Sequence, residues 1–221
     1  MKLVKAVLEI KYAKPASQFT FLNGLVSSLG SSLPQCQELV IGAGAEIRLK
    51  NQKILVRVDT NMAAVVIEED MTPDQMKNKL LDLIQKINRQ LSWSVVSRIG
   101  VRTFWTKETD NLTAAISKFK NSFYKESSLV TNASDIALCL TLKDEDKTIN
   151  FNAGPMAKEQ LLQYITFKEN HNYPNFLYFA DIDYYQIVGN RNYSKNSIND
   201  FVQKGLNFAS TKAEETFNAL I

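Results

Sequence analysis

The sequence has little of the side-chain chemistry that catalysis, metal binding and disulfide bonding require. Its 221 residues include one histidine and two cysteines, Cys36 and Cys139. The cysteines lie far apart, and no Cys-x-x-Cys pair or Cys/His cluster has the spacing of metal ligands. His171 lies in a polar stretch without a neighbouring Ser or Cys in a nucleophile motif. These absences predict no catalytic centre and no cofactor, and the thiol pattern is typical of a cytoplasmic protein.

Long apolar runs and long runs of one charge are also missing. No stretch approaches the ~18 apolar residues of a membrane span, and Lys5 and Glu9 interrupt the apolar N-terminus. The chain has 26 basic and 23 acidic residues, a net charge of +3. A protein that binds duplex nucleic acid through its backbone usually has a larger or more clustered excess. The composition therefore argues against membrane and nucleic-acid partners.

What the sequence does contain is clear periodicity. Alternation of apolar and polar residues predicts strands at 3–12, 39–41, 46–50, 53–59, 63–68, 93–105, 135–143, 148–153 and 176–187. Asn51 and Gln52 form the predicted hairpin turn between two of them. Apolar residues at helical spacing predict helices over 19–29, 73–91, 112–123 and 198–217, and a short helix around 159–164. Thr72, Pro73 and Gln75 supply the cap, first-turn proline and capping-box partner of the second helix.

The order of these elements runs through the chain twice. Residues 1–92 read β-α-β-β-β-β-α and residues 93–221 read β-α-β-β-β-α, so we expect one domain of two pseudo-repeats. Antiparallel strands joined by short turns, with helices between them, predict an α+β fold with helices on one face of a curved sheet. Two such halves joined edge to edge make a saddle, as in folds similar to the TATA-binding protein. A helix-grip fold with a ligand cavity is the alternative.

Charged residues recur on one side of several predicted strands. Because side chains alternate between the faces of a strand, the face away from the helices carries Glu46, Arg48, Lys50, Arg57, Asp59, Arg98, Gly100, Arg102, Asp181 and Asp183. The simplest interpretation is a solvated face with cross-strand ion pairs worth ~0.2–1 kcal/mol each.

A second interpretation concerns the two arginines and the two aspartates. Arg98 and Arg102 would form a four-charge network with Asp181 and Asp183 if their strands were neighbours. We expect at least one Arg–Asp pair within salt-bridge distance and mostly shielded from water. Gly100, between the arginines, leaves room there for a ligand or a partner backbone.

Aromatic residues surround the two aspartates. Phe179 and Tyr185 share their side of the strand and are candidates for an interface, where aromatic residues are enriched. Asp181 and Asp183 could also bind a hard cation such as Mg²⁺, which prefers carboxylate oxygen. No motif places a third acidic ligand beside them.

Three segments resemble a sporadically distributed bacterial family of unknown function. They are residues 7–10 near the start, the Arg-Ile-Gly-Val-Arg strand at 98–102, and a closing helix with Phe217. Members of that family share an Arg-[Ile/Leu]-Gly-[Leu/Val]-Arg strand, usually continued by an aromatic residue and then Asn. Thr103 and Trp105 in this chain depart from that aromatic residue and that Asn. The resemblance implies no activity.

These observations leave several functions open. The first is a non-enzymatic protein-binding or self-associating module that uses the uncovered sheet face. The second is a small-ligand binder in which Arg98 and Arg102 hold an anion beside Gly100. A carboxylate-metal enzyme using Asp181 and Asp183 is a further alternative. A deep apolar pocket that reaches Arg98 would favour a ligand, whereas a flat sheet would favour a protein partner.

Overall fold

The computed structural model describes residues 1–12, 38–41, 44–49, 53–59, 61–69, 71–91, 95–169 and 172–220. The predicted helix over 19–29, the turn at 51–52, Lys50 and His171 lie outside the described residues. In the first half the elements are β1 (Lys2–Tyr12), β2 (Glu38–Ile41), β3 (Gly44–Leu49), β4 (Ile54–Asp59), β5 (Met62–Ile67) and α1 (Pro73–Leu91).

The second half begins with a long strand and ends with a long helix. Its elements are β6 (Val95–Thr109), α2 (Leu112–Phe123), α3 (Ser128–Asn132), β7 (Leu138–Asp144), β8 (Lys147–Ala157), α4 (Lys158–Leu161), β9 (Phe176–Asn192) and α5 (Lys195–Asn218). The five-residue helix α3 was not predicted, because it is too short to show an apolar period. Strand β9 continues five residues beyond its predicted end at residue 187.

The nine strands found in the described residues form one antiparallel sheet in the order β2-β3-β4-β5-β1-β6-β9-β8-β7. In each half the first strand pairs with the last, and the remaining strands follow outward in reverse chain order. Strands β1 and β6 pair with each other at the centre and so join the halves. The predicted antiparallel sheet is confirmed, and the strand order repeats between the halves apart from the extra β2.

The three long helices α1, α2 and α5 pack on one side of this sheet, which we call the helix face. Their apolar stripes meet the inward residues of the strands in one core, which includes Leu8, Val101 and Tyr184 from the sheet and Leu80 and Val202 from the helices. The predicted α+β class with helices on one face is confirmed. No helix within the described ranges is long and apolar enough to cross a membrane.

Helix α1 begins with the predicted capping box. The Thr72 side chain accepts a hydrogen bond from the Gln75 backbone N–H at 3.3 Å, and the Gln75 side chain accepts one from the Thr72 N–H at 3.0 Å. Each side chain thus satisfies a backbone donor that the first helical turn leaves without an intrahelical partner. The helix therefore starts at Pro73, as the sequence indicates.

A shorter part of the chain lies on the other side of the sheet, which we call the open face. Helix α4 and the loop after it form the crossing segment (residues 158–169), which covers one end of this face. A second apolar cluster lies beneath it and consists of Val4, Phe104, Leu161, Ile165, Tyr173, Leu177 and Phe179. The rest of the open face over the central strands is not covered by this segment.

Gly154 in β8 allows the chain before β7 to pass close to the sheet. A Cβ at this position would lie 2.7 Å from the Ile136 backbone oxygen, closer than real Cβ contacts. We predict that Gly154→Ala lowers the free energy of unfolding by about 1–3 kcal/mol, because backbone rather than a side chain must move. Gly100→Ala is the matched strand control, since its nearest contact would be the Tyr185 Cβ at 3.3 Å. Urea unfolding of both variants measures the difference, and an equal or larger loss for Gly100→Ala would contradict it.

Candidate functional site

The centre of the open face is a groove of about 690 Å³ on strands β1, β6, β9 and β8. It lies beside the crossing segment, and its lining includes Lys11, Arg98, Arg102, Asn150, Asp183 and Tyr185. Strand alternation brings these side chains together, because β1 pairs with β6, β6 with β9 and β9 with β8. The groove is therefore lined by Arg98, Arg102 and Asp183, three of the four residues of the expected Arg–Asp network.

Arg102 is fixed by two contacts. Its Nε and Nη2 donate to the two Asp181 oxygens at 2.8 and 2.6 Å, a bidentate pair. Its guanidinium also lies over the Phe104 ring, 5.1 Å from the ring centroid. The Asp181 side chain is only 5% exposed, whereas that of Arg102 is 46% exposed. The carboxylate thus acts as a buried support for a guanidinium that still faces solvent.

Arg98 is less exposed to solvent than Arg102 and contacts two carboxylates. Its Nη1 donates to Glu9, and its Nη2 lies 3.4 Å from the Asp183 carboxylate. The three side chains are mostly shielded from water. The expected Arg–Asp network is therefore present in the structure, with both aspartates paired to arginine. The shielding is complete for neither pair, because Arg102 is half-exposed and Arg98 retains some contact with solvent.

Gly100 serves a different purpose from the one expected. The sequence suggests that it leaves room for a ligand or a partner backbone. In the structure the Arg98 guanidinium uses that room, since both Nη atoms lie 3.4 Å from where a Cβ of residue 100 would be. In the sheet register Arg98 pairs with Ile187, and Arg102 pairs with Asp183. The Arg98 guanidinium thus packs over Gly100 in the groove and reaches along the strand to Asp183.

The two aromatic candidates for an interface differ in their exposure to solvent. Phe179 lies on the expected side of its strand but is not available for an interface, because it is 4% exposed and packs against Phe104 and Tyr164 beneath the crossing segment. Tyr185 is half-buried, and its ring lies under the Arg98 guanidinium at 4.7 Å. Beside it on the open face, Ile187 is 73% exposed. Tyr185 and Ile187, rather than Phe179, supply the accessible apolar surface.

The crossing segment is attached to the sheet by a buried ion pair. Lys5 on β1 lies 2.9 Å from Glu68, which directly follows β5 and is 2% exposed. The Glu68 carboxylate accepts from the backbone N–H groups of Thr166 and Phe167 at 2.7 and 2.8 Å. Lys5 donates to the Tyr164 carbonyl at 2.7 Å and the Thr166 hydroxyl at 2.9 Å. Every polar group in this cluster thus has a charged or backbone partner.

Two cations of the groove are more accessible than its anions. Arg102 and Lys11 are each about half-exposed, whereas Glu9, Asp181 and Asp183 are mostly buried. The formal charges nearly cancel, but the two most exposed charged side chains, Arg102 and Lys11, are both cationic. A partner approaching the open face therefore meets positive charge beside the exposed Ile187.

The remaining charged residues of the open face lie outside this groove. Glu46 and Arg48 on β3 form a local ion pair of 2.6 Å, and Arg57 on β4 is exposed. Asp59 is half-buried and accepts a hydrogen bond from the Asn61 N–H. These four belong to a solvated surface with local pairs, as the simplest interpretation predicts.

Asp181 and Asp183, the candidate metal ligands, lie beside arginine side chains. Both oxygens of Asp181 accept from Arg102, and Asp183 faces Arg98. In the part of the chain that the structure describes, no three His, Cys, Asp or Glu side chains come together as a ligand set. The two carboxylates thus have cationic side chains as neighbours.

Several residues of the site were missed in the sequence, among them Glu9, Lys5, Glu68, Lys11 and Ile187. Glu9, Lys5 and Glu68 each belong to predicted strands, and Glu9 and Lys5 alternate with core residues of β1. That signal places Glu9 and Lys5 on the open face but does not say which strand lies beside them. Their roles follow from the pairing of β1 with both β5 and β6.

Comparison with solved structures finds similar chains. The solved structure of Methanococcus jannaschii TBP is similar over 95% of this chain and 98% of that chain, with 8% sequence identity and a TM-score of 0.30. No protein-family model matches the chain, and no curated protein matches it.

The buried Lys5–Glu68 pair gives a stability prediction. Lys5→Met should lower the free energy of unfolding by about 3–5 kcal/mol, because the Glu68 charge remains buried without its cation. The double variant Lys5→Met/Glu68→Gln should lose less than the sum of the single changes. Urea unfolding of the three variants measures this coupling. Additive losses would show that the two side chains act independently.

Asp183 gives a prediction about pH. Burial raises the pKa of Asp183 above its ordinary value, and the nearby Arg98 and Arg102 offset only part of that rise. The folded state then binds its proton more tightly than the unfolded state, so this carboxyl lowers stability as pH rises from about 4 through the folded pKa.

Asp183→Asn should remove that dependence. The variant should match the wild type below pH ~4, near the ordinary pKa of an aspartate, and be more stable at neutral pH. Thermal unfolding across this range measures the difference, with Asp74→Asn on the exposed surface of α1 as the control. A wild type that gains stability over Asp183→Asn as pH rises would reverse the assigned direction.

Proposed function

We propose that the protein is a non-enzymatic binding module whose open face holds a segment of a partner protein. One observation carries the proposal: the Arg102 guanidinium is fixed by Asp181 and Phe104 while nearly half of its side chain faces solvent. An arginine already held in position loses little conformational freedom when a partner binds. Arginine and aromatic residues also dominate the energetics of protein interfaces.

The chemistry of the open face limits the partner. The exposed groups are the cations Arg102 and Lys11 and the apolar side chain of Ile187, with the half-buried Tyr185 ring on β9 beneath Arg98. A complementary segment would carry a carboxylate for Arg102 and an apolar residue for the surface at Ile187. A nucleic-acid partner is disfavoured because the buried carboxylates beneath the cations almost cancel their charge.

A small anionic ligand is the second candidate. It is favoured by the solvent-exposed part of the Arg102 guanidinium, which Asp181 does not contact. Arg98 does not add to such a site, because its two terminal nitrogens already face Glu9 and Asp183. The groove is also an open surface with many polar side chains, whereas ligand pockets are mostly concave and apolar. These features support a protein segment over a small molecule.

The test compares three forms of the protein as bait in quantitative affinity capture from its native cells. The double variant Arg102→Gln/Asp181→Asn removes the guanidinium without leaving a buried carboxylate unpaired. Arg57→Ala is the matched control, since this arginine is exposed on the same face but outside the groove. A partner retained by the wild type and Arg57→Ala but lost with the double variant supports the proposal.

Calorimetry with the purified partner then measures the effect. We expect the double variant to weaken binding at least about tenfold, which corresponds to ~1.4 kcal/mol. Equal capture by all three baits would refute the assignment of this face. Thermal stabilisation of the wild type by phosphate or citrate, absent in the double variant, with no protein partner at Arg102, would favour the anionic ligand instead.

A further inference from the structure

The outer edge of β7 is a second surface that the proposed function does not involve. Strand β7 is the last strand of the sheet and pairs only with β8 among the described strands. Its backbone N–H and C=O groups on the other side therefore have no strand partner within the described residues. An exposed edge of this kind is a template for another strand.

The sequence of β7 lacks the features that usually protect such an edge. Residues 138–142 read Leu-Cys-Leu-Thr-Leu, with no charge and no proline. The β7–β8 register runs without a bulge from Leu138 to Asp144, so no bulge turns the edge away. The first charged side chain is Lys143, at the end of the strand. An apolar, regular edge that is left open predicts aggregation unless another chain pairs with it.

Exposure is concentrated at the middle of this edge. Leu140 is 42% exposed, while Leu138 and Leu142 on either side are half-buried against the main core. All three project to the helix face, because they pair with the core residues Ala153, Phe151 and Ile149 of β8. The core thus ends in a row of leucines that are incompletely covered.

We propose that β7 pairs with β7 of a second copy of this chain, antiparallel about a twofold axis at Leu140. The segment is self-complementary in this register. Leu140 faces its own copy, and Leu138 faces Leu142 of the second copy on the same side of the sheet. On the open face, Cys139 lies opposite Thr141 of the second copy.

The register of the proposed β7–β7 pair is restricted because side chains alternate between the two faces of a strand. Facing residues of an antiparallel pair must project to the same side, so the axis must pass through a residue rather than between two. An axis at Thr141 would place Leu138 opposite Asp144. An axis at Cys139 would place Leu138 opposite Leu140 and would leave Leu142 without a leucine opposite it. Only the axis at Leu140 matches all three leucines with leucines and leaves the charged residues 143 and 144 outside them.

The pairing would join two nine-stranded sheets into one and continue the helix-face core across the axis. A contact of this type is isologous and closed, so it yields dimers rather than filaments. The open-face grooves of the two copies would lie on the same side of the joined sheet. This inference concerns an edge, and it stands whether or not the open face binds a protein segment.

The first test is the mass in solution, measured by light scattering at tens of micromolar. The wild type should have twice the 25.0 kDa mass of one chain. Leu140→Lys should be a monomer, because two like charges would face each other at the axis. Ile187→Lys is the matched control, since it places the same charge at an exposed apolar residue away from this edge. A wild type that is monomeric, or a dimer unaffected by Leu140→Lys, overturns the proposal.

The second test reads the register by disulfide formation. In a Cys36→Ser background, Thr141→Cys should form an intermolecular disulfide with the native Cys139 on mild oxidation, because facing residues have the Cα separation that a disulfide needs. Peptide mapping identifies the 139–141 link between chains. The variant Cys139→Ser/Thr141→Cys should not cross-link efficiently. Efficient 141–141 linkage in that variant would place the axis at Thr141 and contradict the register at Leu140.

Discussion

The antiparallel pairing of β1 with β6 is the contact on which the rest of the structure depends. It joins the first strand of the first half to the first strand of the second, and its register places Glu9 opposite Gly100 and Lys11 opposite Arg98. A shift of one residue would move every charged side chain of these strands into the core. The alternation of Leu8 and Ile10 with Glu9 on β1, and of Ile99 and Val101 with Gly100 on β6, excludes that shift. The position of the groove thus follows from the need to bury two rows of apolar residues.

Much of the site depends on residues that are close together in the chain, and the sequence was sufficient to predict that part. The period of two placed Arg98, Arg102, Asp181 and Asp183 on one face, because a strand alternates regardless of what lies beside it. The contact between the arginine and aspartate strands also followed once β6 and β9 were neighbours. The capping box at Thr72 was likewise predictable, since it depends on residues only three positions apart.

The parts that failed depend on residues distant in the chain. Phe179 looked exposed because nothing in its own strand indicates that residues 158–169 fold back over it. The role of Glu9 required knowledge that β1 neighbours β6, and the role of Gly100 required the path of the Arg98 side chain. Alternation assigns a face to each residue, but only the order of strands in the sheet decides which of these residues meet.

Strand β1 has a consequence for how the chain is made. It is synthesised first, yet its two neighbours β5 and β6 begin at residues 62 and 95. The ion pair of Lys5 needs Glu68, and its hydrogen bond to Thr166 spans 161 positions. Contacts between such distant residues close large loops and slow folding. While the ribosome is still adding the second half, β1 has an apolar row and one unpaired edge. Nascent chains that stop before Val95 therefore carry the central edge of the sheet without its partner, the condition in which strands associate with the wrong chain.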